Sequence, residues 1–269
     1  MIISHKNKFI FLHVPKTGGS SIHTFLSQYI GDNDILNGWN HPLRKGIPYN
    51  LRLLKMINNT FGLKMVSKAI NLRIKDRKVL ERPILEYAFR EILKRKTGTT
   101  SMHATANQIR KFDKNAWNKY FKFAFVRNPY THAISHWMFE DKNWSISKQN
   151  NNNNFKNLTK KNFLIYLKNL KRETNNKKGY YYEMRPFSNI YTINGKIAVD
   201  FIGKFENLKK DVNKIKKILN LPKSKFSLPH EKKNNTKNYL NLYNNESKKL
   251  VEEIWEKEFK FFNYSFPKK

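Results

Sequence analysis

Short apolar runs that stop at a turn and give way to helical spacing recur along this chain. Phe9 to Val14 is a run of strand length, after which Ile22, Phe25, Leu26 and Tyr29 fall on one helical face. Phe123 to Val126 is a second such run, followed by Ile134, Trp137 and Met138 at helical intervals. The pattern predicts a strand over 8–14 leading into a helix over 20–30, a short strand over 97–102, and a helix over 105–112 before the second junction. Thr159 caps a helix marked by Phe163, Tyr166, Leu167 and Leu170. A strand over 197–203 leads into a helix over 207–219, with Leu208, Val212, Ile215 and Leu219 inward, and a last helix covers 245–260. Helices alternating with buried-type strands imply a parallel sheet covered on both faces.

Between these elements lie segments of another character. Residues 31–49 read as a loop around Trp39 and His41. Basic helical stretches follow at about 50–72 and 81–95; a helical hairpin over the ligand side and a membrane-surface element are two readings, and ordinary core-facing helices are the reading their mixed polar positions, with Glu81, Glu86 and Glu91, favour. Residues 142–158, with the unbroken run Asn150 to Asn154, read as a polar loop insert. The 269 residues and 39% apolar content fit a single domain, 1–269, with a helical insert at about 50–96 and the loop insert at about 142–158. No run reaches transmembrane length and no signal-peptide pattern precedes the first strand. The absence of cysteine excludes disulfides and thiolate metal sites and fits a reducing cytosol. The expected location is cytoplasmic, with peripheral association at the inner membrane face in view.

A net charge of +33 favours anionic partners: nucleic acid, anionic lipid, a polyanionic glycan or a phosphorylated cofactor. No zinc-finger spacing or RNP-like strand supports a specific nucleic-acid reader. The two junctions narrow the choice. Pro15-Lys16-Thr17-Gly18-Gly19-Ser20-Ser21 presents backbone N–H groups, a lysine and three hydroxyls at a helix N-terminus, which is an anion site. Gly18 and Gly19 let the backbone turn and approach closely, Ser20 or Ser21 can cap the helix, and Lys16 reaches back as a point charge. A nucleotide-binding P-loop places lysine after its second glycine; here Lys16 precedes the glycine pair, so the loop is P-loop-like only. An ordinary capped turn with a solvated lysine is the alternative. Arg127 stands at the carboxyl end of the second strand, where open α/β sheets bind ligands. Two anion sites in one chain suggest a ligand with two separated anionic groups.

Together these segments resemble the 5′-phosphosulfate loop and 3′-phosphate motif of sulfotransferases using 3′-phosphoadenylyl sulfate (PAPS), most of all the carbohydrate (type 2) family. His13 to Ser21 matches that family's loop almost residue for residue. Phe123 to Trp137 matches its second segment, with Arg127 and Ser135 at the 3′-phosphate positions. Asp200 to Leu208, Leu228-Pro229-His230 and Phe262-Asn263-Tyr264 are weaker echoes in the same order. His132 stands where the family usually has a second arginine.

The resemblance implies an α/β fold with a P-loop-like parallel β-sheet flanked by helices on both faces, with helical insertions. It also implies sulfuryl transfer from PAPS to a hydroxyl of a carbohydrate or glycolipid acceptor. Lys16, Thr17, Gly18, Gly19, Ser20, Ser21, Arg127 and Ser135 would bind the cofactor, with Lys16 also stabilising the leaving phosphate. Histidine takes a proton near neutrality, and His103 before the 105–112 helix ranks first as the base. His230 and His13 are its rivals, and a helix-capping role for His103 is its alternative. Glu206 reads as a structural carboxylate. No metal is required, and the eight histidines are too scattered for a metal site. Tyr180, Tyr181, Tyr182 and Arg185 could line a sugar site or pack in the core. A P-loop-like kinase or NTPase and a non-enzymatic polyanion binder are the competing function classes.

Overall fold

The computed structural model describes residues 1–31, 33–36, 58, 60–75, 103–147, 159–175, 186–224, 227–228 and 236–267. Strand β1 (Ile2–Ser4) turns back through a short connection in which Lys8 takes a positive φ of 53°. It pairs antiparallel with β2 (Phe9–Leu12), Ile3 opposite Ile10, as such a short link requires. The two-residue β3 (Ile35–Leu36) pairs on the outer side of β1. Beyond β2 the sheet is parallel. β4 (Phe121–Val126) lies beside β2 with Leu12 opposite Ala124, and β7 (Phe201–Lys204) beside β4 with Phe125 opposite Gly203.

The order is β3-β1-β2-β4-β7. The fold is thus mixed α/β with a parallel-containing central sheet: the expected parallel arrangement holds for β2, β4 and β7, and β1 and β3 extend it with antiparallel pairs. The antiparallel pair was hidden because Ile2–Ser4 is too short to show a period. The strand read over 197–203 also divides. Thr192–Ile193 (β5) and Lys196–Ile197 (β6) form a separate hairpin through Asn194-Gly195, whose positive φ values of 50° and 75° suit a tight two-residue turn.

Helices α1 (Gly19–Ser27) and α7 (Leu208–Ile218) cover one face of the sheet, where Ile22, Phe25, Val212 and Ile215 meet Phe9, Phe11, Phe123 and Phe125. The other face, with Ile10, Leu12, Ala124 and Val126, packs on Ile109, Ile134, Phe163 and Trp255. These come from α3 (Ala106–Phe112), α5 (Pro129–Ser147), α6 (Lys160–Asn175) and the C-terminal helical region. Burial on both faces is why Phe9–Leu12 and Phe123–Val126 read as unbroken apolar runs. Gly203 permits the β4–β7 approach, since a Cβ there would lie 2.4 Å from the Phe125 ring.

Several boundaries move. Helix α4 (Lys114–Lys119) follows α3 directly, capped by Asp113, whose Oδ1 accepts from the Ala116 N–H at 2.9 Å. Helix α5 runs to Ser147, past the expected start of the polar insert, whose remainder lies outside the described residues. The last helix is two, α8 (Asn245–Ile254) and α9 (Glu256–Phe262), broken where the buried Trp255 turns its indole toward His132 and Phe187. Of the basic stretches, α2 (Thr60–Lys75) is described, while the 81–95 helix and the 97–102 strand lie outside. No helix among the described residues is long and apolar enough to cross a membrane.

Candidate functional site

Parallel register brings the two junctions together, because β2 and β4 end side by side. The turn after β2 is shaped by backbone rather than by side-chain caps. Lys16 (φ 60°) and Gly18 (φ 81°) both adopt left-handed conformations, and Gly18 is the N-cap of α1. No side chain caps this helix, so the expected capping by Ser20 or Ser21 is corrected. The Gly18 carbonyl takes the Ile22 N–H at 3.1 Å, and the preceding N–H groups of the first turn have no intrahelical acceptors. A left-handed lysine is uncommon and costs on the order of 1 kcal/mol, which places backbone strain within the loop. Thr17 is buried and donates its hydroxyl to the Val14 carbonyl at 2.9 Å. The Lys16 ammonium lies 4.4 Å over the Phe139 ring.

The second junction is a capped helix start. The Asn128 Oδ1 accepts from Tyr130 N–H at 3.1 Å, and Pro129 fills the first helical position, where no N–H is needed. Arg127, 5% exposed, is fixed from several sides. Its Nη1 donates to the Lys16 carbonyl at 3.1 Å, and its Nε to the Thr131 hydroxyl at 3.0 Å. Its guanidinium lies 4.2 Å over the Phe205 ring. Burial lowers its pKa to about 10, with Glu206 opposing, so it stays cationic at neutral pH. Thr131 and the buried Ser135 continue the same face of α5 at four-residue steps. The Arg127 contact to Lys16 links the two junctions.

Glu206, just after β7, has the structural role expected of it. Its Oε1 accepts from the Asn128 N–H at 2.8 Å, tying the third parallel strand end to the Arg127 turn. Asn128 Nδ2 donates to the Ser265 carbonyl at 2.8 Å, so the C-terminal segment straps this turn as well. His132 is buried against Phe187, with burial holding its pKa at about 3, and hydrogen-bonds to the Pro15 backbone. Proline has no N–H, so the imidazole donates to the carbonyl. The position where the resemblance leads one to expect arginine is therefore a neutral strut between α5 and the loop.

His103 stands just before α3, but it is not the cap of that helix. Thr105 is the cap, in a reciprocal box with Gln108, whose N–H reaches the Thr105 hydroxyl at 3.3 Å. His103 Nδ1 instead lies 2.6 Å from the His13 carbonyl. A carbonyl only accepts, so Nδ1 carries the hydrogen and, in the neutral ring, Nε2 carries the lone pair. His13 is itself buried beneath the loop. His230, Tyr180 to Tyr182 and Arg185 lie outside the described residues. Sequence reasoning missed Thr131, Phe139 and Phe205; only the four-residue step from Arg127 to Thr131 was a usable signal.

Comparison with known proteins gives the family. An uncharacterized protein of Archaeoglobus fulgidus is 29% identical over 112 residues, covering 40% of this chain and 75% of its own length. No solved structure matches. The family model described as "Sulfotransferase family" matches residues 1–265, which takes in both anion-site motifs and the C-terminal strap. The chain belongs to the sulfotransferase family, and sulfuryl transfer is its general chemistry.

Proposed function

We propose that this protein moves a sulfuryl group from PAPS to a hydroxyl of a carbohydrate or glycoconjugate. The observation that carries this reading is the contact of Arg127 with the Lys16 carbonyl, which sets two anion sites side by side at the ends of parallel strands. The loop is then P-loop-like in use: first-turn N–H groups of α1, from Gly19 to Ser21, hold the 5′-phosphate end. Arg127 and Ser135 hold the 3′-phosphate. PAPS, when bound, supplies an activated sulfuryl group whose transfer leaves charge on a phosphate oxygen. Lys16 meets that growing charge, and such a contact is worth more in the transition state than before it. His103, with its Nδ1 hydrogen committed to the His13 carbonyl, takes the acceptor's hydroxyl proton on Nε2.

Calorimetric titration tests the reading directly. Adenosine 3′,5′-bisphosphate should bind more tightly than ATP, and duplex DNA only weakly; ATP preference would favour a kinase or NTPase, and DNA preference a polyanion binder. Arg127→Ala should weaken adenosine 3′,5′-bisphosphate binding by about 2–3 kcal/mol, the scale of charge-assisted contacts. Unchanged affinity in the folded variant would remove Arg127 from the site.

The acceptor's setting has its own test. Along α2, Leu63 (57% exposed) and Ile70 (41%) lie one heptad apart, beside the exposed Lys64 and Lys68, and the helix contains no acidic residue. A glycolipid acceptor on an anionic surface fits such a face. The protein should co-sediment with vesicles containing phosphatidylglycerol and much less with phosphatidylcholine vesicles, and L63E/I70E should abolish the difference. Equal sedimentation with both would discard the membrane reading and leave the transfer reading untouched.

A further inference from the structure

His13 is the residue of the first motif whose side chain the proposed chemistry leaves without a task. Its imidazole is 4% exposed, and Nδ1 is buried without a hydrogen-bond partner among the described residues. A buried nitrogen with no partner costs stability that a phenylalanine at the same place would not. The ring is packed on several sides. It stacks on Phe11 at 5.8 Å and 21°, and the His23 ring lies 6.3 Å away. The His103 ring is closest, at 4.4 Å. On the remaining side it occupies the space a side chain at Gly19 would need, where a Cβ would lie 1.7 Å from Nε2. Burial above all, then His103, the N-terminal amine, His23 and Lys16, hold its pKa well below the usual histidine value, so the ring is neutral.

We propose that His13 is a positioning residue for both halves of the site, its neutral ring setting the plane of the His103 imidazole on one side and the backbone path of the anion loop at Gly19 on the other. This rests on His103 being the base. The hydrogen bond from His103 Nδ1 to the His13 carbonyl fixes one point of the base. The His13 ring, 4.4 Å away and tilted by 56°, packs against the imidazole and bears on its plane. Neutrality matters as well, because a cation this close would lower the basicity of His103. At the loop, glycine at position 19 brings the backbone onto the ring, so the ring determines where the first-turn N–H groups of α1 are aimed.

The test is a set of variants assayed for sulfate transfer from labelled PAPS on an accepted sugar, with affinity for adenosine 3′,5′-bisphosphate titrated in parallel. His13→Ala should lose turnover on the order of 10–10²-fold, the scale for a reacting group displaced by about an ångström. His13→Phe, which restores a flat ring of similar reach, should recover most of that loss. Gly19→Ala should reduce both affinity and turnover, because its methyl must displace the His13 ring. In a His13→Ala background the same change should add little, since the space is vacant, and this coupling is a result that a generally destabilised loop does not give. Parent turnover in a folded His13→Ala, or an equal Gly19→Ala penalty in both backgrounds, overturns the proposal. Should His13→Ala fail to fold, Gly19→Ala alone decides: full turnover and affinity there would show that the ring positions nothing. The base assignment fails separately, if His103→Ala keeps full turnover; a dead His103→Ala beside an unimpaired His13→Ala sinks only the positioning role.

Discussion

His103→Ala is expected to lower turnover on the order of 10²–10⁴-fold, the range for a positioned general base, with affinity for adenosine 3′,5′-bisphosphate nearly unchanged. The motivation is geometric. Nδ1 is committed to the His13 carbonyl at 2.6 Å, the helix cap beside it is Thr105, and the ring stands at the edge of the anion loop rather than within it. Lys16→Ala should also lose turnover, but with some loss of affinity, because its charge meets the phosphosulfate before as well as during transfer. The split between the two variants is the informative result. A His103→Ala enzyme with full turnover on an accepted sugar would return the base to His230 or another group. Lys16→Ala with unchanged turnover would remove it from leaving-group stabilisation.

Glu258→Gln is expected to stabilise the protein above neutral pH and to leave it nearly unchanged under acid conditions. Glu258 is 3% exposed, accepts the Tyr191 hydroxyl at 3.0 Å through Oε1, and among the described residues has no hydrogen-bond partner at Oε2. Burial pushes its pKa up to about 7 from an ordinary 4.5; the Tyr191 hydrogen bond, its own backbone N–H and the Lys257 charge act in the opposite direction. The folded state therefore holds a proton that the unfolded chain releases between those values. Stability falls as pH rises through that window, by roughly 3 kcal/mol once both states are ionised. Glutamine keeps the hydrogen bond to Tyr191 without the charge. The difference between parent and variant in urea unfolding should be small at pH 4.5 and reach its full size above pH 8. A difference that does not change with pH would show that Glu258 is not the titrating group. The adjoining Tyr191 and Tyr264 hydroxyls do not titrate in this range, since burial raises both.

How much of this was legible beforehand depends on whether local chemistry or distant pairing decides each feature. Phe9–Leu12 and Phe123–Val126 are apolar on both faces, and that alone marks them as central strands. Asn128 before Pro129 announces a capped helix start wherever it occurs. The glycine pair after Lys16 announces an anion loop, and such signals need no knowledge of the rest of the chain. Ile2–Ser4 and Ile35–Leu36 are strands only because each finds an open edge, that of β2 for the first and that of β1 for the second, and their short lengths carry no period to read. The break at Trp255 likewise follows from where its indole must be buried, not from its neighbours in sequence.

At the site, sequence by itself determined the parts: a cation and hydroxyls on a glycine turn, an arginine at a strand end, and a histidine before a helix. Tertiary structure alone decided their relations. Parallel register places Arg127 against the Lys16 carbonyl across 111 positions of chain. It turns His103 onto the His13 backbone from 90 positions away, which selects its tautomer. It also makes His132 a neutral strut under the loop, where chain order alone invited comparison with an arginine. Residue type is local information that every position carries alone. Distance, burial and proton placement are properties of pairs, and folding alone decides which pairs exist.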